Sequence, residues 1–335
     1  MASQESQSKV STNPPIDREN YLISMNLLIE RIELYIPETE VGISDIIKHE
    51  EHHPEDFETK EEYASFFTDF LGLSAVRVES VLSGLDMIKI CMDRLFLDPH
   101  VKPKDIDLIV VAHDFPEEIQ KTLGLHLISY YHLENANSVN LSGNQCANCE
   151  FAISFVHDIF RGNDSIKKAI IICCSKIKRD ADRVLGSFGI LGDAAGVLLV
   201  GNKQKNGKLK LIDKSLLSNT NLCEHQSEPI EVKCSYYKKC LSKIYINNSK
   251  PHLIRAIITP NANILLISQC FSEMGIDTDL IYTKNLSKYG HLDCIDFLVN
   301  INGIISDDTV VGGESIVSFG IGWTGSYAAL LFEKI

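Results

Sequence analysis

The chain alternates short strand-like apolar runs with helix-like stretches over nearly its whole length, and it does so twice. Residues 106–112 read as a strand, 117–127 as a helix and 138–141 as a strand, followed by an amphipathic helix from Cys146 and a strand over 169–174. The same grammar returns with a strand over 253–259, a helix over 263–274, a short strand over 280–282, a helix starting at Gly290 and a strand over 314–319. Alternation of this kind requires sheets buried beneath helices, an α/β fold. Its recurrence predicts an internal duplication. A polar turn over residues 201–207 separates the copies, so we expect a polar leader at residues 1–19, one half over 20–203 and a second over 204–335. If the halves pack as pseudo-symmetric partners, the helix starts near Cys146 and His291 converge on one central site.

Composition narrows the class. With 335 residues, 44% apolar and 23% charged, the chain has the make-up of a soluble globular protein. Its longest apolar runs, such as 169–174 and 264–267, fall far short of the ~20 residues a membrane span requires. Residues 1–15 are polar and lack the apolar core of a signal peptide, so a cytoplasmic location with no membrane partner is expected. A net charge of −13 argues against nucleic acid, whose phosphates demand a basic surface. Local basic patches at Lys176, Lys178, Arg179 and Arg183, and at Lys238, Lys239 and Lys243, are candidates for an acidic partner or plain surface charge. The 10 cysteines are scattered, and the pair Cys146 and Cys149 has no second pair at zinc spacing. Reduced thiols are therefore expected, with neither disulfides nor a metal site.

Cys146 stands where the small, polar connection Ser142-Gly143-Asn144-Gln145 hands a strand over to an amphipathic helix. The first N–H groups of a helix have no partner within it and carry partial positive charge, which predicts a thiol biased toward thiolate. A buried structural thiol fits the same position, as it does for Cys149 one turn on. His157, about three turns along, is too remote to assist. Four further segments carry polar or glycine-rich features. Residues 188–200 combine glycines and alanines suited to close packing of a turn and a strand. In Thr259-Pro260-Asn261-Ala262-Asn263 an asparagine can cap a helix or reach into a cleft. Gly290-His291-Leu292-Asp293 offers an imidazole at a helix start, and residues 318–325 form a glycine-rich bend whose backbone N–H groups can face a ligand.

In this order and spacing the segments resemble the thiolase superfamily, most closely the β-ketoacyl-ACP synthase III-like enzymes, over about residues 22–335. The family's Cys-Ala-Gly-Phe stands here as Cys146-Ala147-Asn148-Cys149. Its Phe-Gly-Asp-Gly-Ala-Gly stands as Ile190-Leu191-Gly192-Asp193-Ala194-Ala195-Gly196, and its C-terminal Phe-Gly-Gly-Gly-x-Thr-Trp-Gly as Phe319-Gly320-Ile321-Gly322-Trp323-Thr324-Gly325. The resemblance implies a thiolase-like fold whose two pseudo-duplicated halves form α-β-α-β-α layers, and a homodimer. It also implies an acylated Cys146, with acyl-CoA or an acyl carrier protein as donor, a small-molecule or malonyl-type acceptor, and no cofactor or metal. Phe115 would then line the acyl pocket across the dimer interface. Glu117 and Glu118 are candidate bases, or simply negative charges opening a helix after Pro116. Trp323 walls the pocket or belongs to the core, and Asn261 is a candidate lining residue.

The departures bear on mechanism. The family's His-Gln-Ala-Asn becomes Pro260-Asn261-Ala262-Asn263, so Pro260 replaces a histidine. Its Gly-Asn-Thr/Ser becomes Gly290-His291-Leu292-Asp293, so His291 replaces an asparagine. Enzymes of this family use that His and Asn as two donors to the malonyl thioester oxygen. Here one donor is lost and the other has changed type. A neutral histidine beside a thioester can instead take a proton from a hydroxyl, an amine or an acidic carbon, which favours acyl transfer. The catalytic candidates are Cys146, His291 and Asn263, with the backbone N–H groups of Cys146 and Ile321 as oxyanion donors. Asp293 and Asp296 are candidates to orient His291, or serve only as helix-dipole partners. Natural-product biosynthesis is the expected setting. Decarboxylative carbon–carbon condensation and a catalytically degenerate partner subunit of an active paralogue are the alternatives.

Overall fold

A computed structural model describes residues 26–49, 54, 56–113, 122–203, 207–219, 230–246, 250–307, 310–322 and 325–335. The expected leader, Phe115, Glu117, Glu118 and Trp323 lie outside the described residues. The strands are β1 (Leu28–Tyr35), β2 (Glu40–Gly42), β3 (Ala75–Arg77), β4 (Leu108–Ala112), β5 (Asn137–Leu141), β6 (Lys168–Ser175), β7 (Ala194–Gly201), β8 (Leu209–Ser218), β9 (Ile254–Ile258), β10 (Ser315–Gly322) and β11 (Ser326–Lys334). The helices are α1 (Ile43–Ile47), α2 (Lys60–Ser65), α3 (Gly84–Phe96), α4 (Leu123–Tyr130), α5 (Asn148–Gly162), α6 (Ile230–Leu241), α7 (Ile264–Glu273), α8 (Leu286–Tyr289) and α9 (Ile295–Ser306).

The duplication is visible in the strand order, β5-β4-β6-β7-β1-β8-β11-β10-β9. β4 runs parallel to β6, which is antiparallel to β7, which is antiparallel to β1. β9 runs parallel to β10, which is antiparallel to β11, which is antiparallel to β8. The two sets meet where Leu28 and Ile29 pair with Lys210 and Leu209. In the first half β5 adds a parallel edge strand on β4. Its counterpart in the second half is a single parallel bridge between Ile257 and Ile281. The strand expected over 280–282 is therefore reduced to one bridged residue, because the preceding turn Thr278–Leu280 winds as a 3-10 helix.

Period-two alternation sorts the strand residues into layers. On β6, Ala169, Ile171 and Cys173 face one core while Ile170 and Ile172 face another. On β4, Leu108, Val110 and Ala112 go with the first set, Ile109 and Val111 with the second. The outer core of the first half is closed by α3 and α4 through Met87, Ile88, Cys91, Leu123 and Leu127. That of the second is closed by α6 and α7 through Tyr237, Leu241, Ile267 and Phe271. Between the two sheet halves lies the central core, where α5 contributes Cys149, Ala152, Ile153, Val156 and Phe160, and α9 contributes Ile295, Leu298, Ile301 and Ile304. The result is an α-β-α-β-α layering. The α5 apolar residues recur at helical spacing. On α9 burial extends all round the helix, as expected of one enclosed between sheets.

Two sequence expectations are corrected here. Cys234 of α6 and Cys270 of α7 are joined in a disulfide, with Cα atoms 5.1 Å apart. Cysteines 36 residues apart in sequence are brought together where their helices pack side by side on one sheet face, which cysteine spacing does not reveal. Nor are Lys176 and Arg183 parts of a surface patch. Arg183 is buried, and its guanidinium donates to both carboxylate oxygens of the buried Asp193, at 3.0 and 3.1 Å, while Lys176 Nζ lies 3.3 Å from Asp193 Oδ2. Asp193 also accepts the backbone N–H groups of Glu79 and Ile177, at 2.9 Å each. A carboxylate so paired, with its remaining lone pairs satisfied, withstands burial, and it locks the 183–193 segment against β7.

Candidate active site

The fold sets two equivalent turns face to face. In the first half, β5 is followed by a reversal in which Gly143 (φ +91°) and Gln145 (φ +49°) take left-handed backbone conformations. A non-glycine residue there is uncommon. It directs Cys146 out of a short 3-10 turn, Gln145–Ala147, that runs directly into α5. In the second half α8 ends at Gly290 (φ +69°), where a Cβ would lie 2.9 Å from Val76 Cγ1, so the reversal requires glycine. His291 follows, and α9 begins only at Ile295. The imidazole thus stands in a turn ahead of the helix rather than at its first residue. Its backbone is pinned by the Gly192 N–H, which donates to the His291 carbonyl at 2.8 Å.

Across the gap, Cys146 Sγ lies 3.2 Å from His291 Nε2. The other ring nitrogen, Nδ1, is 2.5 Å from Asp296 Oδ2. Asp296, in the first turn of α9, is held by three further donors. These are the Leu292 N–H at 2.8 Å to Oδ1, the Asn261 N–H at 2.7 Å to Oδ2, and Asn261 Nδ2 at 3.2 Å to Oδ1. Behind Asn261, Asn300 Nδ2 donates to Asn261 Oδ1 and to the Thr259 carbonyl, at 3.0 and 3.2 Å. Cysteine, histidine and aspartate therefore form a linear relay with a fully buried imidazole. This is the arrangement in which a base fixed in one tautomer activates a nucleophile. Cys146, Phe188 and Ala262 form one apolar cluster at the site, with the Phe188 ring edge-on to His291 at 5.8 Å.

The electrostatics overturn one expectation. Burial pushes the Cys146 thiol well above its ordinary value, and the negative charges of Asp293 and Asp296 add to the push. Both effects disfavour the thiolate that the helix terminus was expected to favour. For His291 burial acts downward, but the charge and hydrogen bond of Asp296, with the charge of Asp293, more than offset it and hold the imidazole above its ordinary value. The arrangement thus sets a thiol whose charge is disfavoured 3.2 Å from an imidazole of raised basicity, a geometry suited to proton transfer within the pair.

Of the other residues singled out in the sequence, Asp293 is buried with a left-handed backbone (φ +57°), close enough to affect both Cys146 and His291. Asn263 stands apart from the relay. It caps α7, accepting the Leu266 N–H at 3.0 Å, and its Nδ2 donates to the Ser187 carbonyl at 2.9 Å. Asn261 is buried behind Asp296 rather than lining a cleft. Ile321 lies on β10, and a Cβ on the next residue, Gly322, would collide with the Asn144 carbonyl, so this strand end runs directly against the turn that carries Cys146. Sequence reasoning missed Glu150, a buried carboxylate one turn beyond Cys146. It also missed Asn300, four residues after Asp296 and buried on a largely apolar helix. The signal in both cases was a polar residue at a core position.

No protein-family model matches the chain. It is 22% identical over 329 residues, covering 89% of this chain and 96% of the other, to the β-ketoacyl-[acyl-carrier-protein] synthase III of Clostridium acetobutylicum. Among solved structures, it superposes on the priming β-ketosynthase of the R1128 polyketide biosynthetic pathway with a TM-score of 0.74 and 17% identity, over 92% of this chain and 96% of that one. On the acyltransferase ChlB3 the TM-score is 0.72 with 14% identity, over 92% and 98% of the two chains. Likeness of this extent, together with the duplicated strand order and the opposed turns, gives the chain a thiolase-like fold similar to that of the β-ketoacyl-ACP synthase III enzymes.

Proposed function

We propose that the protein is an acyltransferase that forms a thioester on Cys146 and passes the acyl group to a second substrate. The observation that carries this reading is the Cys146–His291–Asp296 relay, with Sγ to Nε2 at 3.2 Å and Nδ1 to Oδ2 at 2.5 Å. In the first half-reaction His291 Nε2 takes the thiol proton as Sγ attacks the thioester carbonyl of an acyl-CoA or acyl carrier protein. Backbone N–H groups of Cys146 and Ile321 receive the oxyanion. The tetrahedral intermediate expels the donor thiolate, which recovers the proton from the imidazolium. In the second half, His291 takes a proton from an acceptor hydroxyl or amine, the acceptor attacks the acyl carbon, and Cys146 leaves and is reprotonated. Asp296 holds the proton of His291 on Nδ1, so that Nε2 is free to accept, and stabilises the imidazolium.

Transfer to oxygen or nitrogen is favoured over decarboxylative condensation by the replaced donors and by charge. Pro260 offers no side-chain donor where the resemblance implies a histidine. The carboxylates of Asp293 and Asp296 both act on the thiol, an unfavourable surrounding for a malonyl carboxylate and for the enolate it would leave. Condensation is the reading favoured by the name of the clostridial relative. Malonyl thioester supplied to acyl-loaded protein decides between them: we expect carbon dioxide release no faster than in Cys146→Ala, and rapid release would replace transfer by condensation. A dimer in the cytoplasm, active in natural-product biosynthesis and using only the donor's own phosphopantetheine, is the setting we infer from the family likeness.

A further inference from the structure

Behind the relay lies a fourth ionisable group that the mechanism above does not use. Glu150, on the first turn of α5 and four residues beyond Cys146, is 2% exposed. Its carboxyl is wedged against β10, where Oε1 accepts the Ser318 hydroxyl at 2.8 Å. A Cβ at Gly320 would lie 2.8 Å from Glu150 Cδ, so only glycine leaves room for the carboxyl. Oε2 is buried with no hydrogen-bond partner among the described residues. The titratable groups facing the carboxyl are Asp296 on α9, Cys149 on its own helix and Cys173 on β6. None of these supplies positive charge.

An ionised carboxylate in that position would leave one charged oxygen unpaired in the core beside a second carboxylate, an arrangement costing far more than an unpaired neutral oxygen. We propose that Glu150 is a positioning residue that serves the relay as a neutral carboxylic acid, bracing the first turn of α5 against β10 without adding a further buried anion to Asp293 and Asp296. The brace spans two parts of the site. One end is the turn carrying Cys146, and the other is the strand that continues from Ser318 and Gly320 to Ile321 and Gly322, the last packed on Asn144. Burial, partly offset by the Ser318 hydrogen bond, accordingly pushes the Glu150 carboxyl up to about 7. Above that pH it gains a charge that opposes formation of the Cys146 thiolate.

This inference rests on Cys146 as the reactive thiol of the proposed function but not on the acyl chemistry assigned to it, and it can be tested without an acyl donor. The full-length protein, Glu150→Gln and Glu150→Ala are compared for iodoacetamide alkylation of the Cys146 peptide, read by mass spectrometry at pH 6 and pH 8.5, and for infrared absorption of a protonated carboxyl. Gln keeps the shape and the Ser318 contact but cannot ionise. Its alkylation rate should therefore rise between the two pH values about tenfold more than that of the native protein, the effect of one unit charge at short range in a partly buried site. The native protein should show a protonated-carboxyl band at pH 6 that Glu150→Gln lacks, and Glu150→Ala should depart from the native alkylation rate at pH 6 further than Glu150→Gln does. Equal pH responses in native and Gln proteins, or a native spectrum without the band at pH 6, overturn the proposal. Failure to form an acyl adduct while Cys146 still shows these alkylation responses would instead count against the proposed function alone.

Discussion

Replacing His291 with alanine is expected to slow acylation of Cys146 by about 10³-fold, within the range that loss of a positioned base imposes. Burial and two nearby carboxylates disfavour the charged form of the thiol, so its ionisation depends on the imidazole 3.2 Å away taking up the proton. The measurement is the time course of acyl-adduct mass after mixing with an acyl-CoA donor, with circular dichroism confirming the fold. The pH dependence has a definite sign. His291 must be neutral to act as base, so the native acylation rate should climb as pH rises through a His291 value lying above the ordinary 6.5. That ascending limb should vanish in the alanine variant.

Asp296→Asn is expected to cost about 10³-fold as well, although the two side chains have nearly the same shape. Asp296 receives four hydrogen-bond contacts on two oxygens, from the Leu292 N–H, the Asn261 N–H, Asn261 Nδ2 and His291 Nδ1. An amide offers one oxygen and turns an N–H₂ group toward donors. His291 would lose the acceptor that keeps its proton on Nδ1, leaving Nε2 in the wrong tautomer. The charge that offsets burial would also go, so whatever activity remains should have its ascending limb at lower pH than in the native protein. Unchanged acylation in this variant, measured by the same mass time course, would remove Asp296 from the relay.

Much of the architecture could be read from the chain because it depends on local pattern. Period-two runs such as residues 169–174 and helical spacing on 148–162 are facts of neighbouring residues, and their recurrence made the duplication visible. The pairing of Cys146 with His291 followed from that symmetry. What could not be read depends on surroundings assembled from distant segments. The charge state of Cys146 was misjudged because a helix terminus is legible in sequence, whereas desolvation and the approach of Asp293 and Asp296 are not. Asp293 and Asp296 looked equivalent as orienters, and only the bend His291–Cys294 ahead of α9 brings Asp296 onto Nδ1. Asn263 was expected in the chemistry, yet its side chain caps α7. Glu150 was invisible because its partner, Ser318, is 168 residues away.

The most direct test of the account is intact-mass analysis of the full-length protein incubated with a panel of acyl-CoA and acyl carrier protein donors, followed by peptide mapping and a chase with hydroxyl and amine acceptors. The account predicts a single acyl increment on Cys146, absent in Cys146→Ala and discharged by an acceptor without release of carbon dioxide. An adduct that persists in Cys146→Ala, or none with any donor, would contradict it.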